Sequence, residues 1–476
     1  MTLRPLTLLA AIAALQLNTA CAQTDKAVMP VPDDHSQMTR SIYETVISMR
    51  TARGQEKVPD MVAYLVGELK TAGFTDADIQ VTDYDADGEH TQGLMVTYRA
   101  ADEPAEKPIV LLGHMDVVDA LAEDWVRPPF TLIEEDGYFF GRGTMDNKYG
   151  ISNLTATFIR LKNEGWTPNR DLVLVFSGDE ESGMVSTVAQ AKYVAEHIDP
   201  AFVLNSDAGG GVIGDDGTPL FYRVQGAEKT FATFELTITN PGGHSSRPRA
   251  DNAIYELAEA LRRIEDYAFP VRSTELTRAY FKASGAVTPG DLGAAMTAFS
   301  ENPDDEAAIA ALRANPSTVG TTGTTCIATM LRAGHAENAL PQSATATVNC
   351  RIFPGIGAAA TQARLTEIID NDAVSFNLIT DVTESPESKL RPDVLAAIEK
   401  SLDARGIDAP IIPYMESGGT DGMHYRTLGY DTVAISGGWM NPSDMYAHGL
   451  NERLPVEAFY GGLNHWYVIL KDLAGE

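Results

Sequence analysis

Apolar positions along the chain follow two rhythms. Residues 108–113 form an unbroken apolar run, Pro-Ile-Val-Leu-Leu-Gly, and the stretches at 171–176 and 201–205 read the same way. Runs of this length without alternation predict strands buried on both faces. Helical stretches are expected at 41–49, 60–71 and 149–162, with further strands at 79–82 and 93–99, and residues 24–40 read as polar loop. Beyond residue 224 the rhythm changes. Phe234, Leu236 and Ile238 alternate with Thr233, Glu235 and Thr237, the signature of a half-exposed antiparallel strand. An amphipathic helix is expected at 252–264, and helical runs with a charged, Pro-containing turn at 301–306 fill 270–318. A second alternating strand puts Thr345, Thr347, Asn349 and Arg351 on one face. Helices at 392–404 and 456–470 complete the pattern.

Buried runs interleaved with helices predict an α/β unit whose strands bring their carboxyl ends to one edge, where such sheets keep their active sites. At 476 residues the chain is long enough for about two or three domains. The change of rhythm near residue 224 marks an expected boundary between units. Lys and Arg total 36 against 66 Asp and Glu, a formal charge of -30. Such a chain repels polyanions, which argues against nucleic acid or an anionic membrane surface as partner.

The amino terminus carries a targeting pattern over residues 1–22. Arg4 precedes a mostly apolar stretch from Leu6 to Leu17, and Ala20-Cys21-Ala22 makes an A-x-A cleavage site before Gln23. The apolar stretch is short for a bilayer span, so export, to a bacterial periplasm, is expected, with no transmembrane segment afterwards. Lipid anchoring at Cys21 is the secondary alternative. The remaining cysteines, Cys326 and Cys350, lie on the apolar sides of alternating segments. Two buried thiols and a disulfide between neighbouring strands both fit.

Candidate chemistry gathers at the ends of the buried strands. His114 and Asp116 follow the first run two residues apart, so an extended backbone points them the same way, as a ligating imidazole and its orienting carboxylate require. Asp146 closes a loop whose Gly141 and Gly143 permit close backbone approach to a ligand. Glu180 and Glu181 stand side by side after the second run, where they repel unless a cation lies between them. One would then bind metal while the other serves as general base. Asp207 follows the third run, and His448 is a distant candidate ligand. Each also has a bland reading: a structural His–Asp hydrogen bond, a helix N-cap, an acidic surface turn. Repetition of the pattern at successive strand ends favours a shared site.

The ordered stretches His114-x-Asp116, Gly141 to Asp146, Asp179-Glu180-Glu181, Asp207, Gly242-Gly243-His244 and His448 with Asn451-Glu452 resemble the dizinc aminoacylase and carboxypeptidase family. That family includes glutamate carboxypeptidase, carboxypeptidase S, carnosinase-like dipeptidases and succinyl-diaminopimelate desuccinylase, and the wording is most similar to the carboxypeptidase S branch. The resemblance implies a mixed-sheet α/β zinc-hydrolase domain over 23–223 and 384–476, with an inserted α+β lid over 224–383 that also dimerises. It implies His114 and Asp207 on one zinc, Glu181 and His448 on the other, and Asp146 bridging, with manganese or cobalt able to replace zinc. Asp116 would orient His114, and Glu180 would be the base for metal-bound hydroxide. His244 would reach a partner subunit's site and steady an oxyanion. Arg351 would clamp a substrate carboxylate, Asn338 would help bind substrate, and Gly418, Gly419 and Thr420 would meet its backbone.

The expected protein is thus an exported dizinc hydrolase cleaving peptides that end in a free carboxylate. An N-acyl-amino-acid hydrolase is the alternative within the enzyme class. Outside it stands a catalytically silent, peptide-binding relative, against which an intact Glu180 and a full ligand set argue.

Overall fold

The computed structural model describes residues 28–100, 104 and 106–475. The targeting segment 1–22, with Cys21, lies outside the described residues. Every residue of the Ile109–His114, Leu172–Ser177 and Phe202–Asn205 strands is buried. These strands are parallel neighbours, with Ile109–His114 in the middle. Their burial on both faces explains the unbroken apolar runs. They sit within a ten-stranded mixed sheet. On one flank the Ile79–Ala86 and Glu89–Tyr98 hairpin adds antiparallel strands. On the other, Thr432–Ala434 pairs parallel with Phe202–Asn205, and Pro219–Glu228 pairs parallel with Ile411–Glu416. Helices Val58–Thr71, Lys148–Asn163 and Pro392–Ala404 cover one face, with Leu65, Leu154, Phe158 and Ile398 in its core. Among the described residues no helix is long and apolar enough to cross a membrane.

A four-stranded antiparallel sheet forms the second unit, from Thr230–Thr239, Thr325–Ala333, Ser343–Ile352 and Ser375–Leu378. Phe234, Leu236 and Ile238 pack with Val348 and Ile352 under helices Ala253–Asp266 and Ala358–Ile369. Thr233, Glu235 and Thr237 take the other face, as their alternation predicts. Cys326 and Cys350 are direct cross-strand partners and form a disulfide that closes 24 residues of sequence. Closing a loop of that length contributes about 3 kcal/mol in the chain-entropy model.

Four features depart from the sequence pattern. Residues 33–40, read as loop, begin the Asp33–Ser48 helix. Pro32 precedes it, and Asp33 and Asp34 place negative charge at its amino end. The large sheet keeps its strand to Glu228, so the crossing into the second unit falls between Glu228 and Thr230 rather than at residue 224. The 270–318 region does not join the lid sheet. Helices Glu275–Val287, Gly290–Glu301 and Glu306–Ala314 build their own core around Phe281, Phe299 and Leu312. Leu276 then packs with Ala227 and Met415 against the large sheet. Gly226 makes room for it, since a Cβ there would stand 2.5 Å from a Leu276 methyl. The final helical stretch divides into Val456–Gly461 and His465–Leu473.

Candidate metal centre

His114 ends its strand, and its Nδ1 lies 3.0 Å from the main-chain oxygen of Asp116. That contact directs Nε2 toward Asp146 Oδ1 at 2.8 Å and Asp207 Oδ1 at 3.2 Å. The other oxygen of Asp146 faces His448 Nε2 at 3.0 Å, and the same nitrogen is 2.8 Å from Glu181 Oε1. Two groups of ligand atoms result, His114 with Asp146 and Asp207, and Asp146 with Glu181 and His448. Within each, the donor atoms all lie inside 4.8 Å of one another. A third grouping joins His114 to Glu180 and Glu181, which puts Glu180 beside the centre. Imidazoles and carboxylates at this spacing suit zinc, and equally manganese or cobalt. His448 holds a left-handed backbone, φ 62°. Such a conformation is disfavoured for a residue with a Cβ and recurs at functional positions.

The supporting residues include some that sequence reasoning left without a role. Asp116 orients His114 mainly through its main-chain oxygen. Its carboxylate instead accepts the N–H groups of Glu180 and Glu181, both at 3.0 Å, and so aims the acidic pair. Asp179 caps the helix Val185–His197 by accepting from the Val185 and Ser186 N–H groups. The Asp146 loop hangs on Glu452, which is fully buried. Its carboxylate accepts from the N–H groups of Gly143, Met145 and Asp146, and from the Arg142 guanidinium at 2.7 Å. Nothing local in the sequence connects positions 310 residues apart. Asp421 is buried against the hydroxyls of Ser177 and Thr187.

Burial and close neighbours shift the ionisation of these groups. Hydrogen bonds to Asp146 and Glu181 push His448 up to about 10. Burial pushes Asp207 up to about 7 and Glu180 well above the usual carboxylate range, with neighbouring carboxylates adding to both. Burial acts against charge on Asp146 too, but the two imidazoles outweigh it and hold that carboxyl low. Carboxylates kept near neutrality by burial and by one another form a site short of positive charge.

A cavity of ≈ 370 Å³ opens beside the ligands, bounded by Asp146, Glu180, Glu181, Asp207 and His448 at one end. Gly418, Gly419 and Thr420 line it, though the Thr420 hydroxyl is committed to Glu228. Arg351 stands outside the lining residues, where it donates to the Ser417 carbonyl and lies over Phe231. His244 and Asn338 come together on the short Gly243–His244 and Ala339–Leu340 ribbon. Both are exposed and away from this cavity, with His244 Nδ1 bonded to Ser246. Arg223 and Glu416, singled out by no motif, also line the cavity.

Two outcomes follow. Glu452→Ala strands a buried Arg142 and frees the Asp146 loop; breaking such a pair costs about 3–5 kcal/mol, so urea denaturation should show that loss together with weakened metal binding. An unchanged midpoint and metal affinity would refute the role. Because ligating imidazoles must be neutral and carboxylates ionised, Co²⁺ binding at pH 7 should expel protons from His448 and Asp207. Affinity should therefore rise with pH. Calorimetry in two buffers of different ionisation enthalpy measures the release, and binding without proton release would contradict these ionisation states.

Residues 110–472 match the family model described as peptidase family M20/M25/M40. The chain is 27% identical over 396 residues to "Probable carboxypeptidase S-like 2" of Dictyostelium discoideum, covering 80% of this chain and 74% of that protein. It is 28% identical over 374 residues to the human "N-fatty-acyl-amino acid synthase/hydrolase PM20D1", covering 75% and 72%. Among solved structures it resembles the M20 family metallo-carboxypeptidase Sso-CP2 from Sulfolobus solfataricus. That match has a TM-score of 0.68 at 19% identity, over 92% of this chain and 99% of the other. With this match spanning both halves of the large sheet and every ligand of the centre, the chain belongs to peptidase family M20/M25/M40, as a metal-dependent peptidase or amidohydrolase.

Proposed function

We propose that the protein is an exported dizinc hydrolase that cleaves the amide bond of peptides ending in a free carboxylate, in the manner of a carboxypeptidase or dipeptidase. The observation that carries this reading is Asp146, whose two oxygens face different imidazoles, an arrangement that would let it serve two cation positions at once. His114 and Asp207 would hold one ion, and Glu181 and His448 the other. Two zinc ions there would polarise the amide carbonyl and lower the pKa of an attacking water. Glu180, buried and raised in pKa, is suited to take that water's proton and pass it to the leaving nitrogen. The Asp116 carboxylate holds Glu180 in place by accepting its main-chain N–H. Gly418 and Gly419 let a substrate backbone come close. Arg351, beside that loop, is the assigned clamp for the terminal carboxylate, by two parallel hydrogen bonds. His244 and Asn338, remote from their own cavity, are assigned to the site of a partner copy in a homodimer through the lid.

A second reading is hydrolysis of N-acyl amino acids. Tyr149, Met440, Met445 and Leu454 give the cavity an apolar wall suited to an acyl chain. The name of the human relative points the same way. Export is supported by the Cys326–Cys350 disulfide, which persists in oxidising compartments.

Release of amino acid from a panel of dipeptides and N-acyl amino acids, by zinc-loaded wild type and Glu180→Gln, tests the reaction. The variant should keep its metal and lose about 10²–10⁴-fold in kcat. Full activity in Glu180→Gln would remove the base, and turnover of acyl substrates alone would transfer the assignment to the second reading. Amino-terminal sequencing of the secreted protein should begin at Gln23; an intact Met1 would argue against export.

A further inference from the structure

Arg223 is the arginine among the residues lining the cavity, and no lysine lines it. Among the described residues no carboxylate lies within ion-pair reach of it. Its contacts are soft ones. Nη2 approaches the Met445 sulfur at 3.8 Å, and the guanidinium carbon lies 5.3 Å from the centre of the Tyr414 ring. Nε is buried and has no hydrogen-bond partner. Glu416, the cavity carboxylate outside the ligand groups, is turned to the Ser417 N–H at 2.7 Å and makes no ion pair with Arg223. The Tyr414 ring is itself placed, since its hydroxyl accepts the Gly209 N–H, and the Arg223 main chain pairs with Gly210 across the sheet. The result is a rigid, half-buried cation facing an apolar-walled space with a donor unused. Such a group discriminates, because an apolar acyl group leaves its donors unmet and a neutral amide accepts from it without cancelling its charge, while a carboxylate satisfies donors and charge together.

Its position separates it from Arg351. Arg223 is level with Ile412 in the neighbouring strand, whereas Arg351 reaches Ser417, just past the end of that strand at Glu416. Five residues of extended chain put these levels about 16 Å apart. Arg351 therefore stands by the 417–420 loop, outside the cavity lining, and Arg223 on the Met445 and Tyr414 wall.

We propose that Arg223 reads a carboxylate on the acyl side of the scissile amide, so that the preferred substrates are doubly anionic: an α-carboxylate on the leaving amino acid and a second carboxylate on the acyl group, as in an amino-terminal glutamyl residue or an ω-carboxyl acyl chain. This inference rests on the amide-hydrolysis reading above.

The test compares one amino acid carrying an N-glutaryl group with the same amino acid carrying the neutral primary amide of that group. Zinc-loaded wild type should prefer the carboxylate by about 10- to 100-fold in kcat/KM, chiefly through KM. The ratio should fall close to one in Arg223→Met and be largely kept in Arg223→Lys. In Arg223→Glu it should fall below one, and a 4-aminobutyryl substrate should be turned over better than the glutaryl one. Circular dichroism checks that each variant is folded, and should Arg223→Met fail to fold, the wild-type ratio and the lysine variant still decide. Equal turnover of both acyl forms by wild type, or a ratio unchanged in folded Arg223→Met, overturns the inference and leaves the amide-hydrolysis reading standing. No turnover of either form, or of any peptide, overturns both.

Discussion

Four carboxylates and two imidazoles meet at the carboxyl edge of the large sheet, closer together than solvation alone allows. Like charges in a buried cleft repel strongly because little water remains to screen them. Close contacts of His114 and His448 with the carboxylates answer the conflict in part, and two divalent cations would answer it fully. The rest of the chain is arranged around this constraint. Strand ends deliver His114 and Asp207 from a rigid sheet, a capped helix start fixes the acidic pair, and a buried Arg142–Glu452 pair suspends the loop carrying Asp146. Each supporting group is itself bonded, so ligand positions follow from backbone geometry rather than from side-chain freedom.

The second unit is built differently because its task differs. Its sheet is antiparallel, covered by helices on one face and open on the other, where Thr237 and Thr345 stand beside exposed Phe231, Ile327 and Met330, and a disulfide ties one outer strand to its neighbour. Arg351 sits near the end of a strand in that sheet and reaches Ser417 of the large domain, joining the lid to the loop at the cavity. The helical insert belongs with the large sheet. By packing Leu276 against Met415 it braces the strand that carries Tyr414 into the cavity. One wall of the cavity is thereby stiffened by a segment that follows the lid's first strand in sequence.

Much of the centre was legible in the chain because its ligands follow buried strands, and buried strands announce themselves as unbroken apolar runs. His114, Glu180, Glu181 and Asp207 could be picked out on that ground. Glu452 and Arg223 could not be assigned tasks. A carboxylate that accepts three N–H groups looks, in sequence, like any other glutamate. An arginine on a strand looks like a solvated charge until the opposite wall is known. The 33–40 helix was hidden by its polar composition, since that amino-terminal turn has few apolar positions to show a period.

Taken by itself, the sequence determined the strand and helix rhythm, the α/β class, the metal-ligand candidates and the acidic surface. These properties depend on residues near one another in the chain, where periodicity and spacing carry the physics. Tertiary structure alone decided that Asp146 faces two imidazoles, that residues 275–314 pack on the large sheet, that Cys326 meets Cys350, and that His244 lies outside its own cavity. Each of these is a pairing between distant segments. Such pairings are selected by the burial and hydrogen bonding of the whole fold, which no local pattern encodes.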